Sequence, residues 1–363
     1  MGLLNNNKTD PNKILPIKYP WAREYYKSGV ANNWVPEEVS MQDDVEMWKS
    51  TALTDLERRL VMWNLGFFST AESLTANNIV LAIYNHITDP ACRQYLLRQA
   101  YEEAIHTDTF IYCCDTLGLD PDGVYTMYQN IPSIKDKDDF VVNITKTIYD
   151  KDFHIDILRP YSEGEDIVSY IDHINRRNNQ VKSFLKDLIG YYVIMEGIFF
   201  YAGFAMMLAL KRQKKMIGIG EQFEFIMRDE SVHLAFGVDL INTIRKEECY
   251  KEIICDGKSY NIDGVWDLKF EEEIKNLIIQ SVELEKKYAH DACPQGLLGI
   301  NADQFCNYVE YIADRRLERL GIAKQYGISN PFPWMSQSTD LLKEKNFFET
   351  KVTEYQVGSL NWD

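Results

Sequence analysis

The sequence predicts an all-α protein built as a bundle of long helices. Three observations carry that expectation. Apolar residues recur with helical period over unusually long stretches, strand signals are sparse, and capping residues stand where the stretches begin and end. The first stretch, "TDLERRLVMWNLGFFSTAESLTANNIVLAIYNHI", contains no Pro and opens on Thr54, with Glu57 three residues later as in a capping box. The second, "DPACRQYLLRQAYEEAIHTDTFIYCCDTLG", starts on Asp89 and Pro90, an N-cap followed by a first-turn proline, and stops at Gly118. Further helices are expected over roughly 177–216, 220–246, 268–289 and 302–321. Helices of roughly 25 to 40 residues exceed the usual length. Without sustained heptads they imply a bundle rather than a coiled coil. The pattern weakens over 138–178, where "YSEGED" marks a loop, and "CDGKSYNIDG" is a polar break able to hold a short hairpin. From "NPFPWMSQSTD" onward the periodicity is lost, which reads as a wrapped segment followed by a tail.

A net charge of -16 without a basic patch argues against nucleic acid as a partner. The Cys count is seven, an odd number, and no C-x-x-C pair occurs. That pattern fits reduced thiols in a cytoplasm rather than a disulfide framework or a thiolate zinc site. The N-terminus lacks the apolar core of a signal peptide, and no run of 18 apolar residues predicts a membrane span.

The chemistry sits in the His residues. Two of the six occur in Glu-x-x-His, as Glu103–His106 and Glu230–His233. On a helix, i and i+3 share a face, so each pair aims one carboxylate and one imidazole at one point. A helix carrying a Glu in apolar surroundings precedes each pair: Glu72 in "LGFFSTAESLTANNIVLAI" and Glu196 in "LIGYYVIMEGIFFYAGFAMMLAL". A buried Glu is costly unless it is paired or bound to a metal. Glu72 precedes Glu103 by 31 residues and Glu196 precedes Glu230 by 34, so one plan occurs twice. One Glu from each of two helices, with Glu-x-x-His from two more, is the ligand set of ferritin-like di-iron and di-manganese carboxylate proteins. Glu72, Glu103 and His106 are expected to hold one metal, and Glu196, Glu230 and His233 the other, with Glu103 and Glu230 able to bridge. Carboxylate and imidazole donors suit Fe and Mn.

Most of the chain resembles the radical-generating small subunit of class I ribonucleotide reductase. The segments that carry the resemblance include "NNWVPEE", "NLGFFSTAESLTANNIVLAI", "RQYLLRQAYEEAIHTDTF", "YYVIMEGIFFYAGF", "MIGIGEQFEFIMRDESVHLAFGVDLIN", "YIADRRLERLG", "NPFPWMS" and "KNFFETKVTEYQ". The resemblance implies a ferritin-like dimetal domain over 1–340 and a flexible tail over 341–363 that docks on a large subunit. It implies a homodimer, O2 as co-substrate and ribonucleoside-diphosphate reductase activity only with the large subunit. Trp34 matches the Trp that passes an electron towards the metals, and Asp229 the carboxylate that links it to a metal-bound His, here His106. Tyr355 matches the tail Tyr that relays the radical across the subunit boundary. Phe200, Phe204 and Ile226 match the apolar cage of the oxygen site.

One position departs from the common pattern. Four residues after the first motif's histidine, most members carry the Tyr that stores the radical; here it is Phe110, which has no O–H to lose. Tyr112 lies about 200° further round the helix and cannot replace it. The sequence resembles the manganese–iron branch, subclass Ic, in which a Mn/Fe pair takes over from the tyrosyl radical. Glu72, where many tyrosyl-radical members have Asp, agrees with that branch. A di-iron centre is the alternative cofactor. The competing functions are a Mn/Fe ligand-binding oxidase of the same superfamily and a ferritin-like metal store.

Overall fold

The chain combines short helices with long ones, and five of the six candidate ligands stand on the long helices Asp55–Leu74, Pro90–Leu117 and Ile217–Glu247. The computed structural model describes residues 3–4, 14–75, 80–162, 164–248, 252–262, 264–297 and 299–335. Two N-terminal helices that the sequence reading did not mark, α1 (Pro20–Ala31) and α2 (Gln42–Lys49), lie against the bundle. The first long stretch forms α3 (Asp55–Leu74) and α4 (Val80–His86), with 76–79 between them outside the described residues. Thr54 makes its expected capping box with Glu57. The second forms α5 (Pro90–Leu117), opened by the Asp89 carboxylate on the N–H groups of Ala91 and Cys92. Gly118 closes it in the left-handed conformation (φ 67°), where a side chain would be strained.

Three helices follow that the periodicity did not reveal: α6 (Pro121–Tyr125), α7 (Met127–Asn130) and α8 (Pro132–Ile144). The helix expected from 177 begins ten residues earlier, as α9 (Ile167–Leu188), with Asp166 as its cap. Its first turns bury only a narrow face, Tyr170, Ile174, Arg177 and Asn178, and two of those residues are polar. The apolar signal is weak there for that reason. The chain then runs into an 11-residue π-helical segment, Ile189–Phe199, and returns to α geometry in α10 (Tyr201–Arg212). By length and composition the run Ile167–Arg212 includes a stretch able to cross a membrane, yet that stretch is wholly buried inside the bundle.

Helix α11 (Ile217–Glu247) starts before the expected Gly220. Its cap comes from elsewhere in the chain: the Asp44 carboxylate on α2 accepts the N–H groups of Gly218 at 3.1 Å and Ile219 at 2.7 Å. Local sequence cannot show a cap that arrives from 174 residues away. The polar break forms the hairpin β1 (Glu252–Cys255) and β2 (Lys258–Asn261), whose Asp256–Gly257 turn has positive φ at both residues. Helices α12 (Leu268–Ala292) and α13 (Ala302–Arg319) complete the bundle.

The π segment, α3, α5 and α11 meet around one interior face, and the backbones approach closely there. A Cβ on Gly237 of α11 would lie 2.1 Å from Cγ of Tyr192. Helix propensity alone predicts that Gly237→Ala stabilises the fold by about 1 kcal/mol. The contact reverses the sign: the variant is expected to lose about 1–3 kcal/mol in a urea unfolding measurement. A gain in stability would show that the helices do not approach this closely.

Candidate metal centre

Four elements deliver the six residues singled out in the sequence. Helix α3 supplies Glu72, α5 supplies Glu103 and His106, the π segment supplies Glu196, and α11 supplies Glu230 and His233. All six are buried. Nδ1 of His106 lies 3.5 Å from Glu72, 3.4 Å from Glu103 and 3.1 Å from Glu230. Nδ1 of His233 lies 3.1 Å from Glu103, 3.4 Å from Glu230 and 3.9 Å from Glu196. Each imidazole is therefore nearer to the Glu of the other motif than to its own. Glu103 and Glu230 sit between both rings, while Glu72 faces only His106 and Glu196 only His233. Two groups of ligand atoms result, Glu72–Glu103–His106–Glu230 and Glu103–Glu196–His233, each with its atoms within 4.8 Å of one another.

The donor set fits two divalent cations. Both oxygens of Glu72 and of Glu230, one each of Glu103 and Glu196, and Nδ1 of both histidines are buried without a hydrogen-bond partner. Buried polar atoms are rarely left so, and these converge on one space. Four carboxylates together balance the charge of two divalent ions. Burial pushes the carboxyls of Glu72 and Glu196 well above the usual carboxylate range. Burial acts on Glu103 in the same sense, but His233 and His106 outweigh it and hold that carboxyl well below the range. Burial acts to lower both imidazoles. Glu72 first among its neighbours raises His106, and Tyr95, Glu103 and Glu230 raise His233, so both stay protonated to higher pH than a free imidazole.

Outside the ligand atoms, each imidazole is held by the acid that precedes the other motif's Glu. Asp229 lies 3.5 Å from Nε2 of His106 and accepts the indole N–H of Trp34 at 2.7 Å. Trp34 is buried, with its ring 6.3 Å from that of His106 and stacked on Phe225 at 5.1 Å. The sequence-expected Trp34–Asp229–His106 contact chain is thus assembled in space. Glu102 plays the matching part for His233, at 2.9 Å from Nε2, and the sequence reading missed it. Its signal was present: an acid stands directly before the ligand Glu in both copies, Glu102–Glu103 and Asp229–Glu230. Arg98 donates to Glu102 at 2.9 Å and to Asn33 at 3.0 Å, and Arg228 donates to Asp229 at 3.1 Å and to the Asn32 carbonyl at 2.5 Å. The loop Asn32–Trp34 therefore touches the supports of both histidines. Such carboxylates select the tautomer that leaves Nδ1 free for a metal.

Tyr191 was also missed. Its phenol donates to Glu103 at 3.1 Å and accepts from Gln99 at 2.9 Å. Gln99 further lies 3.3 Å from both Glu103 and Glu196. Apolar periodicity hides both residues, because a buried phenol or amide reads as core. Phe110 is buried and packs on Phe68 at 6.0 Å and Phe223 at 5.9 Å. Phe68 also meets Phe200 at 4.8 Å and Phe204 at 5.1 Å, and Ile226 is fully buried. These rings pack into one buried aromatic cluster. Tyr112 points away, towards the Val39 carbonyl at 3.4 Å. Tyr355 and the tail 341–363 lie outside the described residues.

Comparison with known proteins gives a consistent picture. The sequence profile of the ribonucleotide reductase small chain matches residues 11–331. A ribonucleoside-diphosphate reductase subunit beta from Chlamydia pneumoniae is 51% identical over 362 residues, 99% of this chain and 95% of that protein. A ribonucleoside-diphosphate reductase small chain from Arabidopsis thaliana is 28% identical and covers 96% of this chain, with 88% of its own length matched. Among solved structures, the ribonucleotide reductase R2 subunit from Clostridium botulinum superposes with a TM-score of 0.76 at 24% identity, covering 93% of this chain and 94% of that one. The dimanganese(II)-NrdF of Streptococcus sanguinis superposes at 0.67 with 16% identity, over 92% and 100% of the two chains. At such identities the structural likeness speaks for the fold alone.

The protonation pattern makes a measurable demand. Glu72, Glu196, His106 and His233 all keep protons to higher pH than usual, and each must shed its proton to bind a cation. Mn(II) or Fe(II) uptake is therefore expected to release protons, and affinity to rise with pH across the neutral range. Titration in weak buffer with a pH indicator measures the release. Uptake that is pH-independent and proton-neutral would contradict a site built on these four groups.

Proposed function

The protein belongs to the ribonucleotide reductase small-chain family, and on that premise we propose that it keeps its oxidising equivalent on a manganese–iron pair, not on a tyrosine. It is an enzyme subunit, the small subunit of a ribonucleoside-diphosphate reductase. The proposal adds the cofactor, its ligands and the route to the partner. One observation carries it: the residue one turn after His106, on the same helix face, is Phe110, buried among phenylalanine rings. When bound, a manganese–iron pair supplies the O2-reactive redox centre. The protein's own residues do the rest. Glu72, Glu103, His106, Glu196, Glu230 and His233 would hold the two ions, Glu103 and Glu230 being the carboxylates that lie near both imidazoles. Phe68, Phe110, Phe200, Phe204 and Ile226 keep the space dry and deny the centre an oxidisable phenol on that side.

Asp229 joins Trp34 to His106 by hydrogen bonds, which gives an electron a continuous polar path from the Asn32–Trp34 loop to a ligand. The proposed route continues through Tyr355 to a Cys of the large subunit, on which the tail 341–363 docks. Two copies of the chain form the working small subunit. The described cysteines Cys92, Cys113, Cys114, Cys255, Cys293 and Cys306 are unpaired, in keeping with a cytoplasmic location. The relatives are reductase small chains, which favours neither the ligand-binding oxidase nor the metal store.

Loading the apoprotein with Fe(II) alone, Mn(II) alone or both, followed by O2 and assay with the large subunit, tests the cofactor. Activity is expected from the mixture. Activity with iron alone and none with the mixture would overturn the manganese–iron reading in favour of di-iron. Tyr355→Phe is expected to abolish nucleotide reduction while metal oxidation proceeds; full turnover by that variant would remove the tail from the route. Tyr191 is the one phenol found on a ligand carboxylate among the described residues. Tyr191→Phe is expected to weaken metal binding about tenfold and to leave the EPR spectrum of the activated protein unchanged. Loss of turnover together with loss of a tyrosyl EPR signal would move the oxidising equivalent to Tyr191.

A further inference from the structure

The π segment that carries Glu196 ends at Phe199, and three charged side chains from three helices meet the backbone between Gly197 and Ala202. An 11-residue π segment is long for a form that usually appears as a single turn. Its hydrogen bonds run over five residues, and α geometry resumes where the Phe204 N–H reaches the Phe200 carbonyl at 2.9 Å. At such a junction the backbone groups of the two registers do not match one for one, and buried ones need partners from elsewhere. Arg316 of α13 donates from Nε to the Gly197 carbonyl at 2.8 Å, with its guanidinium over the Tyr201 ring at 4.8 Å. Lys137 of α8 donates to the Phe199 carbonyl at 3.0 Å. Glu285 of α12 accepts the Ala202 N–H at 3.2 Å.

Lys137 and Glu285 are also an ion pair at 2.5 Å, and both are fully buried. The ammonium lies over the Phe67 ring at 3.4 Å and the Tyr288 ring at 4.1 Å. Burial brings the Lys137 amine down to about 8 and the Glu285 carboxyl up to about 7, so desolvation costs this pair much of its charge preference. A buried ion pair is commonly no more stable than apolar residues of the same volume. Stability therefore does not account for it. Its contacts do: each partner satisfies one backbone group at the exit of the π segment, and the pair ties α8 to α12 across that exit.

We propose that Lys137, Glu285 and Arg316 form a register clamp on the π segment, and that they are positioning residues for Glu196. A slip of one residue turns a helix by about 100°. Relaxation of the segment into plain α geometry would therefore rotate Glu196 relative to Phe200 and Phe204, which follow it. The clamp holds Glu196 aimed at His233 while Phe200 and Phe204 face Phe68. It acts on one half of the centre, since Glu72, Glu103, His106 and Glu230 stand on α3, α5 and α11. The inference rests on the dimetal reading of the centre.

The test is an Mn(II) titration of the full-length apoprotein, followed by EPR, with thermal melting of the apoprotein alongside. The wild-type protein is expected to bind two Mn(II). The double variant Lys137→Met/Glu285→Met is expected to bind one as the wild type does and the other about 10–100-fold more weakly, a loss confined to one site whatever fall in apo melting temperature the unpaired Phe199 carbonyl and Ala202 N–H cause. Lys137→Met/Glu285→Gln returns an acceptor to the Ala202 N–H and is expected to recover part of the loss. Arg316→Gln, which draws the donor back from Gly197, reads the same quantity independently should the double variant not fold. Two wild-type-like sites in the folded variants would overturn the clamp alone. Equal weakening of both sites with a matching fall in melting temperature would reduce the three residues to structural ones and also overturn it. A wild-type protein that binds no Mn(II) would overturn the dimetal reading and the clamp together.

Discussion

Four carboxylates and two imidazoles share a dry interior, and much of the structure answers that one constraint. Desolvating several like charges at close range is prohibitive without compensating cations. In the protein alone, burial pushes the Glu72 and Glu196 carboxyls well above the usual carboxylate range, and the surrounding carboxylates draw both imidazoles towards the charged form. Two divalent ions resolve the same problem without protons. Protons and cations are thus alternative partners for the same buried carboxylates.

The supports around the centre share a design in which each half is held by the other. Asp229, beside Glu230, braces His106, and Glu102, beside Glu103, braces His233. Arg228 and Arg98 neutralise those two acids and reach the same short loop, Asn32–Trp34. The loop thereby contacts the supports of both histidines. Close packing makes this stiff. Gly29 on α1 shows the tolerance, because a Cβ there would sit 2.7 Å from the Glu102 carboxylate. The π segment adds a second stiff element, with buried charges from α8, α12 and α13 on its exit.

Phe110 shows how an absence of chemistry can inform. It packs as ordinary core, and nothing in its surroundings distinguishes it from its neighbours Phe68 and Phe223. Its meaning comes from its place one turn after His106, where it offers no O–H that could be oxidised. Tyr191 is the counterpart. It is a phenol placed on a ligand carboxylate, yet its sequence context, a run of apolar residues, gave no sign of it.

Helix period, caps and a repeated spacing were enough to read most of the bundle and all six candidate ligands from the sequence alone. Those features are local: Thr54 and Asp89 cap their own helices, and Glu103 meets His106 because i and i+3 share a face. What stayed hidden depends on residues far apart in the chain. The start of α11 is set by Asp44, the partner of His233 by a turn of a different helix, and the π register by Lys137, Glu285 and Arg316. The early start of α9 and the helices α6 to α8 were lost because their buried faces are short or polar. Sequence determined which side chains could form the centre. Tertiary structure decided which imidazole each carboxylate faces, because that choice is made only when four separate backbone elements pack around one charged space.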